Sequence, residues 1–254
     1  MVLVDSHCHL FDIKGYQVPA DVYPVIVGYS DSSNHKALAY AREGGANYPL
    51  VLGIAPQTAL KEGLAKLDPW IDFIRKSRPN AIGEIGLDYK WAQKREDVER
   101  ERILFGRMIA LADEMDLPMV IHSRDKPGNP TKGTRAPDKE VPVDAVDECI
   151  SMMAGKRFVM HFFSGTPGQA MRAVELGGYI SISHMRSKDR RKVIETVPLE
   201  RMLVESDAPF VGRTPESIRE AVDYIAEAKK IEPALAAKMT GENAARFFGF
   251  DLPR

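Results

Sequence analysis

The chain has 254 residues, 44% of them hydrophobic, and its 35 basic and 36 acidic side chains leave a formal charge of −1. A chain so close to neutral does not capture nucleic acid by bulk charge, although a local basic rim is compatible with it. No apolar run reaches the ~20 residues of a membrane span. The opening MVLVDSHCHL has no secretory signal, and two cysteines make no disulfide framework, so a cytoplasmic protein is expected.

Val2-Leu3-Val4 opens the chain as a short strand and runs into Asp5-Ser6-His7-Cys8-His9. Residues two apart on a strand share a side, so both imidazoles can face one ion with Asp5 beside them, while Cys8 points away. A second strand is predicted over Val25–Tyr29 and a helix over Lys36–Glu43, with His35 at its start read as structural or solvent-facing. A strand over Leu50–Ile54 and a helix over Lys61–Lys76 come next. Then Ala81-Ile82-Gly83 leads to Glu84, with a helix over Asp97–Glu114 behind it. Met119-Val120-Ile121 leads to His122, and a Pro, Gly and Thr-rich basic segment, Arg124 to Lys139, follows before a helix over Val143–Met153. Phe158-Val159-Met160 leads to His161, with a helix over Gly168–Leu176. Tyr179–Ile182 is followed by a second basic segment, Arg186 to Lys192, and a helix over Lys188–Thr196. Met202-Leu203-Val204 leads to Glu205-Ser206-Asp207, and the last predicted helix covers Pro215–Lys230.

Short apolar runs alternating with helical periodicity read as buried parallel strands. Eight such units predict an α/β fold, a (β/α)8 TIM barrel in which residues 1–254 form a single domain, and barrels of this kind run to ~250 residues. Functional groups on such a barrel lie at the carboxyl ends of the strands. His7, His9, Glu84, His122, His161 and Asp207 all follow apolar runs and are therefore expected at one mouth.

Taken in order, the blocks Asp5-Ser-His7-Cys-His9-Leu, Gly83-Glu-Ile-Gly-Leu-Asp88-Tyr89, Ile121-His122-Ser-Arg124-Asp125, His161-Phe-Phe-Ser164-Gly165, Glu205-Ser-Asp207-Ala-Pro209 and Glu242-Asn-Ala-Ala-Arg-Phe-Phe-Gly249 span almost the whole sequence. Together they resemble the TatD-like deoxyribonuclease family of amidohydrolase-type metal-dependent hydrolases. The resemblance implies a TIM barrel, a divalent-metal centre and phosphodiester hydrolysis, commonly of DNA from an end. Two places depart from the family pattern. Ala55-Pro56-Gln57 stands where members usually carry His-Pro-His, and Ser183-His184 where they commonly carry Ser-Gly.

On this reading two divalent ions, Mg, Mn or Zn, act as cofactors. His7, His9 and Asp207 serve one, His122 and His161 the other, and Glu84 bridges them. Asp207 is expected to accept a proton from an attacking water activated by the metals, so Asp207 and Glu84 carry the catalytic roles. Arg124 is assigned to a phosphate oxygen, which its planar guanidinium suits. His184 is either a second phosphate contact or a surface histidine. Asp5 is expected to orient the His-x-His pair, and Glu205 to hydrogen-bond a neighbouring ligand or substrate, or to pair with a barrel arginine. The substrate is expected to be DNA, with no membrane and no obligate protein partner. Hydrolysis of an amide, lactone or aminoacyl ester at the same centre is the alternative. Binding without turnover is disfavoured because no ligand position is missing.

Overall fold

A computed structural model describes residues 2–43, 47–125, 142 and 144–252. Eight strands form one sheet in chain order, each parallel to the next: β1 (Leu3–Cys8), β2 (Val22–Val27), β3 (Leu50–Leu52), β4 (Ala81–Asp88), β5 (Met119–Arg124), β6 (Phe158–Met160), β7 (Tyr179–Ile182) and β8 (Met202–Val204). At the carboxyl end β1 meets the segment after β8. Asp207 N–H donates to His7 O at 2.9 Å and His9 N–H to Ala208 O at 2.7 Å. These bonds draw the sheet into the expected (β/α)8 barrel.

The helices are α1 (Asp31–Arg42), α2 (Pro56–Glu62), α3 (Leu67–Ser77), α4 (Arg95–Met115), α5 (Ala145–Ser151), α6 (Pro167–Glu175), α7 (Lys188–Thr196), α8 (Ile218–Lys229) and α9 (Pro233–Phe248). α1 begins earlier than its apolar periodicity suggests, because Ser30 and Ser33 form a reciprocal capping box. The single helix predicted over Lys61–Lys76 is two. α2 starts at Pro56, whose fixed φ suits a first helical position, and stops at Gly63, which takes φ +70°. α9 was not among the predicted helices.

Strand residues bury both faces. One set, including Ile26, Leu50 and Ile82, packs in the larger core shared with the helices. The other, Val4, Val25, Val51, Val120, Val159 and Leu203, clusters with Phe247 and Phe248 of α9. A TIM interior is a packed core rather than a pore. Cys8 belongs to the larger core, and its thiol donates to Val25 O at 3.3 Å, away from the histidines that flank it. Among the described residues no helix is long and apolar enough to cross a membrane.

Candidate metal centre

All six candidate ligands reach the carboxyl mouth. His7 Nε2 and His9 Nε2 lie 3.3 Å apart, and Asp207 Oδ1 is 3.3 Å from His9 Nε2 and 4.0 Å from His7 Nε2. Glu84 Oε1 is 2.5 Å from His122 Nδ1 and 3.9 Å from His161 Nε2, while Glu84 Oε2 turns to His7 Nε2 at 3.8 Å. The donor atoms of His7, His9 and Asp207 lie within 4.8 Å of one another, as do those of Glu84, His122 and His161. Ligands ~2.0–2.2 Å from a shared ion are held at such separations. Imidazole nitrogens mixed with carboxylate oxygens, buried and turned toward one another, therefore fit a divalent metal.

The charges support each other at close quarters. Burial alone would raise the Glu84 carboxyl, but His122, His161 and His7 hold it well below the usual carboxylate range. Burial likewise opposes protonation of His122, yet Glu84 and Asp88 carry it up to about 10. Glu205 and Asp207 do the same for His161, which is raised to about 9. His7 goes the other way, lowered by burial and by the neighbouring rings of His161 and His9, and is neutral as a ligand must be. Without metal the cluster is thus a set of carboxylates sharing protons with imidazoles.

Local backbone chemistry makes the convergence possible. β4 bulges against β5 between Ile82 and Ile85, and Gly86 sits at φ +143° directly against the next strand. A Cβ at Gly86 would lie 1.9 Å from His122 O, so only glycine lets Glu84 and His122 approach. Asp207 adopts the left-handed region at φ +49°, which Asp tolerates better than most residues.

A second layer of acceptors orients the rings. Asp88 Oδ2 lies 3.0 Å from His122 Nε2, Glu205 Oε2 3.1 Å from His161 Nδ1, and Val27 O 2.6 Å from His9 Nδ1. Fixing one ring nitrogen in this way presents the other to a metal. Glu205 Oε1 also accepts Phe162 N–H at 2.6 Å, and its carboxylate lies within 4.8 Å of the donor atoms of His7 and His161 as a third candidate group. Asp5 works through the main chain rather than the imidazoles, accepting His7 N–H at 3.2 Å and Ser206 N–H at 2.9 Å. It therefore fastens β1 to the segment that carries Asp207. Burial raises the Asp5 carboxyl to about 7 against these hydrogen bonds.

Gln57, standing in the altered Ala55-Pro56-Gln57 segment, is part of this layer. Its amide donates to Asp88 Oδ2 at 2.5 Å and lies 3.3 Å from His122 Nε2. Sequence reasoning missed this role. It also gave Asp88 none, although Asp88 stands four residues beyond Glu84 on one strand, a spacing that points both to the same side.

A cavity of about 740 Å³ opens over the ligands, lined among others by Gln57, Lys61, Arg124, Phe162, Met185 and Phe210. Arg124 is where the sequence places it. His184 is not among the lining residues, and its Nδ1 is buried without a partner. The expected basic rim is largely spent on structure in its second segment. Arg186 and Arg191 both bind Glu227, and Arg190 donates to Met185 O at 2.6 Å with its guanidinium 5.2 Å from the Phe162 ring. The first segment, beyond Asp125, lies outside the described residues. Lys61 and Phe210, which sequence reasoning did not single out, line the mouth instead.

The model of the family described as TatD related DNase matches residues 4–249. The chain belongs to that family. It is 28% identical to human deoxyribonuclease TATDN3, over 97% of this chain and 94% of that protein. It is 29% identical to the Bacillus subtilis metal-dependent hydrolase YabD, over 97% of this chain and 99% of the relative. Of solved structures, the TatD homologue YjjV of Escherichia coli K12 superposes with a TM-score of 0.75 at 24% identity, covering 99% of this chain and 98% of its own. A TatD family hydrolase from Entamoeba histolytica superposes with a TM-score of 0.74 at 18% identity over 97% of each chain. These two likenesses bear on the fold. Family membership makes the chain a metal-dependent hydrolase acting on ester bonds.

Proposed function

We propose that this TatD family member is a deoxyribonuclease that hydrolyses phosphodiester bonds at a centre of two divalent ions. The observation that carries the reading is Glu84, whose two oxygens face different groups of ligands: Oε1 lies toward His122 and His161, Oε2 toward His7. His7, His9 and Asp207 would hold one ion, His122 and His161 the other, and Glu84 would stand between them. When bound, Mg, Mn or Zn ions supply Lewis-acid stabilisation of the phosphoryl charge and acidify an attacking water.

The chain's own residues do the rest. Asp207 Oδ1, beside His9 Nε2 at 3.3 Å, takes the proton from that water. Arg124 forks onto a non-bridging phosphate oxygen, where a planar guanidinium has the matching geometry. Asp88 and Glu205 keep the His122 and His161 rings from turning. DNA as the substrate is supported by the names of relatives such as human deoxyribonuclease TATDN3.

Purified protein loaded in turn with Mg, Mn and Zn should cleave end-labelled DNA, with activity falling as salt rises because basic contacts release counterions. The slope should be shallow, since the chain is close to neutral. Asp207→Asn should lower turnover ~10²–10⁴-fold, the range for loss of a general base, while calorimetry still finds an ion at His122 and His161. Near wild-type turnover by Asp207→Asn at saturating metal reassigns the base. Protein that leaves all DNA intact but hydrolyses an amide, lactone or aminoacyl ester moves the assignment to carbonyl chemistry.

A further inference from the structure

Several arginines at the surface of this molecule are engaged with carboxylates. Arg75, Arg102, Arg107, Arg172, Arg191 and Arg219 each grip a carboxylate. Lys61 and Arg124, both lining the cavity over the metal centre, form no ion pair among the described residues. An unpaired cation facing a cavity keeps its charge for whatever enters.

The position of Lys61 along its helix is informative. α2 packs against β4 and α4, which brings Gln57 against Asp88 and His122. Lys61 follows Gln57 by four residues on the same helix, so the two share a face with their side-chain roots ~5–6 Å apart. Gln57 therefore marks the His122 end of the cavity wall, and Lys61 stands one helical turn along that wall. Glu62 also lines the cavity, but adjacent residues on a helix do not face each other, and no ion pair joins it to Lys61. Arg124, two residues past His122 on β5, is the cation nearer the reacting phosphate.

We propose that Lys61 holds the phosphate next to the one positioned at the metal centre. The ligand class is a molecule with two phosphates one nucleotide apart, whether the second is a terminal phosphate or the next backbone diester. This subsite rests on the phosphodiesterase reading for the placement of the first phosphate only, not for turnover, and makes a separate demand. A single diester fills the metal centre and Arg124, whereas Lys61 is used only when a second phosphate is present. Lys61 is thus a specificity residue, and it supplies a contact in a place where the usual family histidines are absent.

The test uses the full chain loaded with Mn and isothermal calorimetry of two ligands, thymidine 3′,5′-bisphosphate and thymidine 5′-monophosphate. Wild type should bind the bisphosphate about tenfold more tightly, the order expected of one charge-assisted contact. Lys61→Ala and Lys61→Gln should bring the two affinities together, Lys61→Arg should keep them apart, and the salt slope for the bisphosphate should fall by about one in Lys61→Ala. Because Lys61 is exposed, circular dichroism should show all three variants folded. The subsite is overturned if wild type shows no preference for the bisphosphate, or if Lys61→Ala retains it. Assay of d(TpT), d(pTpT) and d(TpTp) separates the two readings and the two sources of phosphate. Diester cleavage with the preference intact in Lys61→Ala removes the subsite alone. Bisphosphate binding through Lys61 with no diester cleaved removes the phosphodiesterase reading and keeps the subsite.

Discussion

Glu101 on α4 is fully buried beneath the end of β4, where its Oε2 accepts Asp88 N–H at 2.9 Å and its Oε1 has no partner. Burial raises its carboxyl to about 8, with the Asp88 amide working in the opposite direction. In the unfolded chain the group ionises near the ordinary glutamate value, so between that value and pH 8 the folded state holds a proton that the unfolded state has lost. Stability contributed at this position is therefore greatest in mild acid and declines as pH rises through that window. Glu101→Gln keeps an oxygen for the Asp88 amide and cannot ionise. It should raise the melting temperature at pH 8, by ~2–4 °C for each kcal/mol recovered in a domain of this size. At pH 4.5 it should have little effect. Equal effects in thermal scans at the two pH values would mean that Glu101 is ionised in the fold. This residue also shows where reading a sequence stops. Its acidic side chain looks like part of a solvated helix, and only packing reveals that it supports the strand whose Asp88 orients His122.

At the scale of elements, α9 closes the amino end of the barrel, with Phe248 only 2% exposed and set edge-on to Phe247 at 4.8 Å between ring centres. Phe248→Ala removes a ring from the cluster with the strand valines and should destabilise the fold by about 3–5 kcal/mol. A denaturant titration should register the loss, whereas the number of metal ions bound should be preserved because the ligands stand at the opposite end. A small shift of the denaturation midpoint would show that α9 merely covers the barrel. The strands bearing ligands were legible because each pairs an apolar run with a polar residue at its downstream end. α9 is not, because its buried face mixes Thr240, Gly241 and Asn243 with alanines and offers little apolar contrast. The division of α2 from α3 turns on the backbone of Gly63, and the use of Gln57 depends on α2 lying beside the mouth. Neither the helix break nor the resting place of a helix is encoded in local periodicity.

For the molecule as a whole, the candidate ligands come from β1, β4, β5 and the residues just after β1, β6 and β8, so bound ions would tie together strands spread around the entire barrel. Adding Mn or Zn to chelator-treated protein should raise its melting temperature, with about 4 kcal/mol gained at a thousand times the dissociation constant. The gain should grow with pH. His122 and His161, raised to about 10 and about 9, stabilise the metal-free fold fully below the unfolded histidine value, and that contribution fades as pH climbs through their folded values. Metal must displace the same protons, so binding is weakest where the metal-free protein is best supported by them. A melting shift that is independent of pH would place the ions elsewhere.

The junction of the first strand with the last carries a consequence for the life of the chain. Asp5 and Ser206 are 201 residues apart in sequence, yet their hydrogen bond sets His7 and His9 beside Asp207. No shorter stretch of polypeptide contains both halves of that ligand group. During synthesis the histidines leave the ribosome long before their carboxylate partner, and a partly made chain has no complete centre. The proposed centre is then completed only by barrel closure, a strongly non-local pairing across 201 residues of sequence. On the proposed ligand set a chain that ends before Asp207 lacks the carboxylate of the first group, and its hydrolytic activity should be absent.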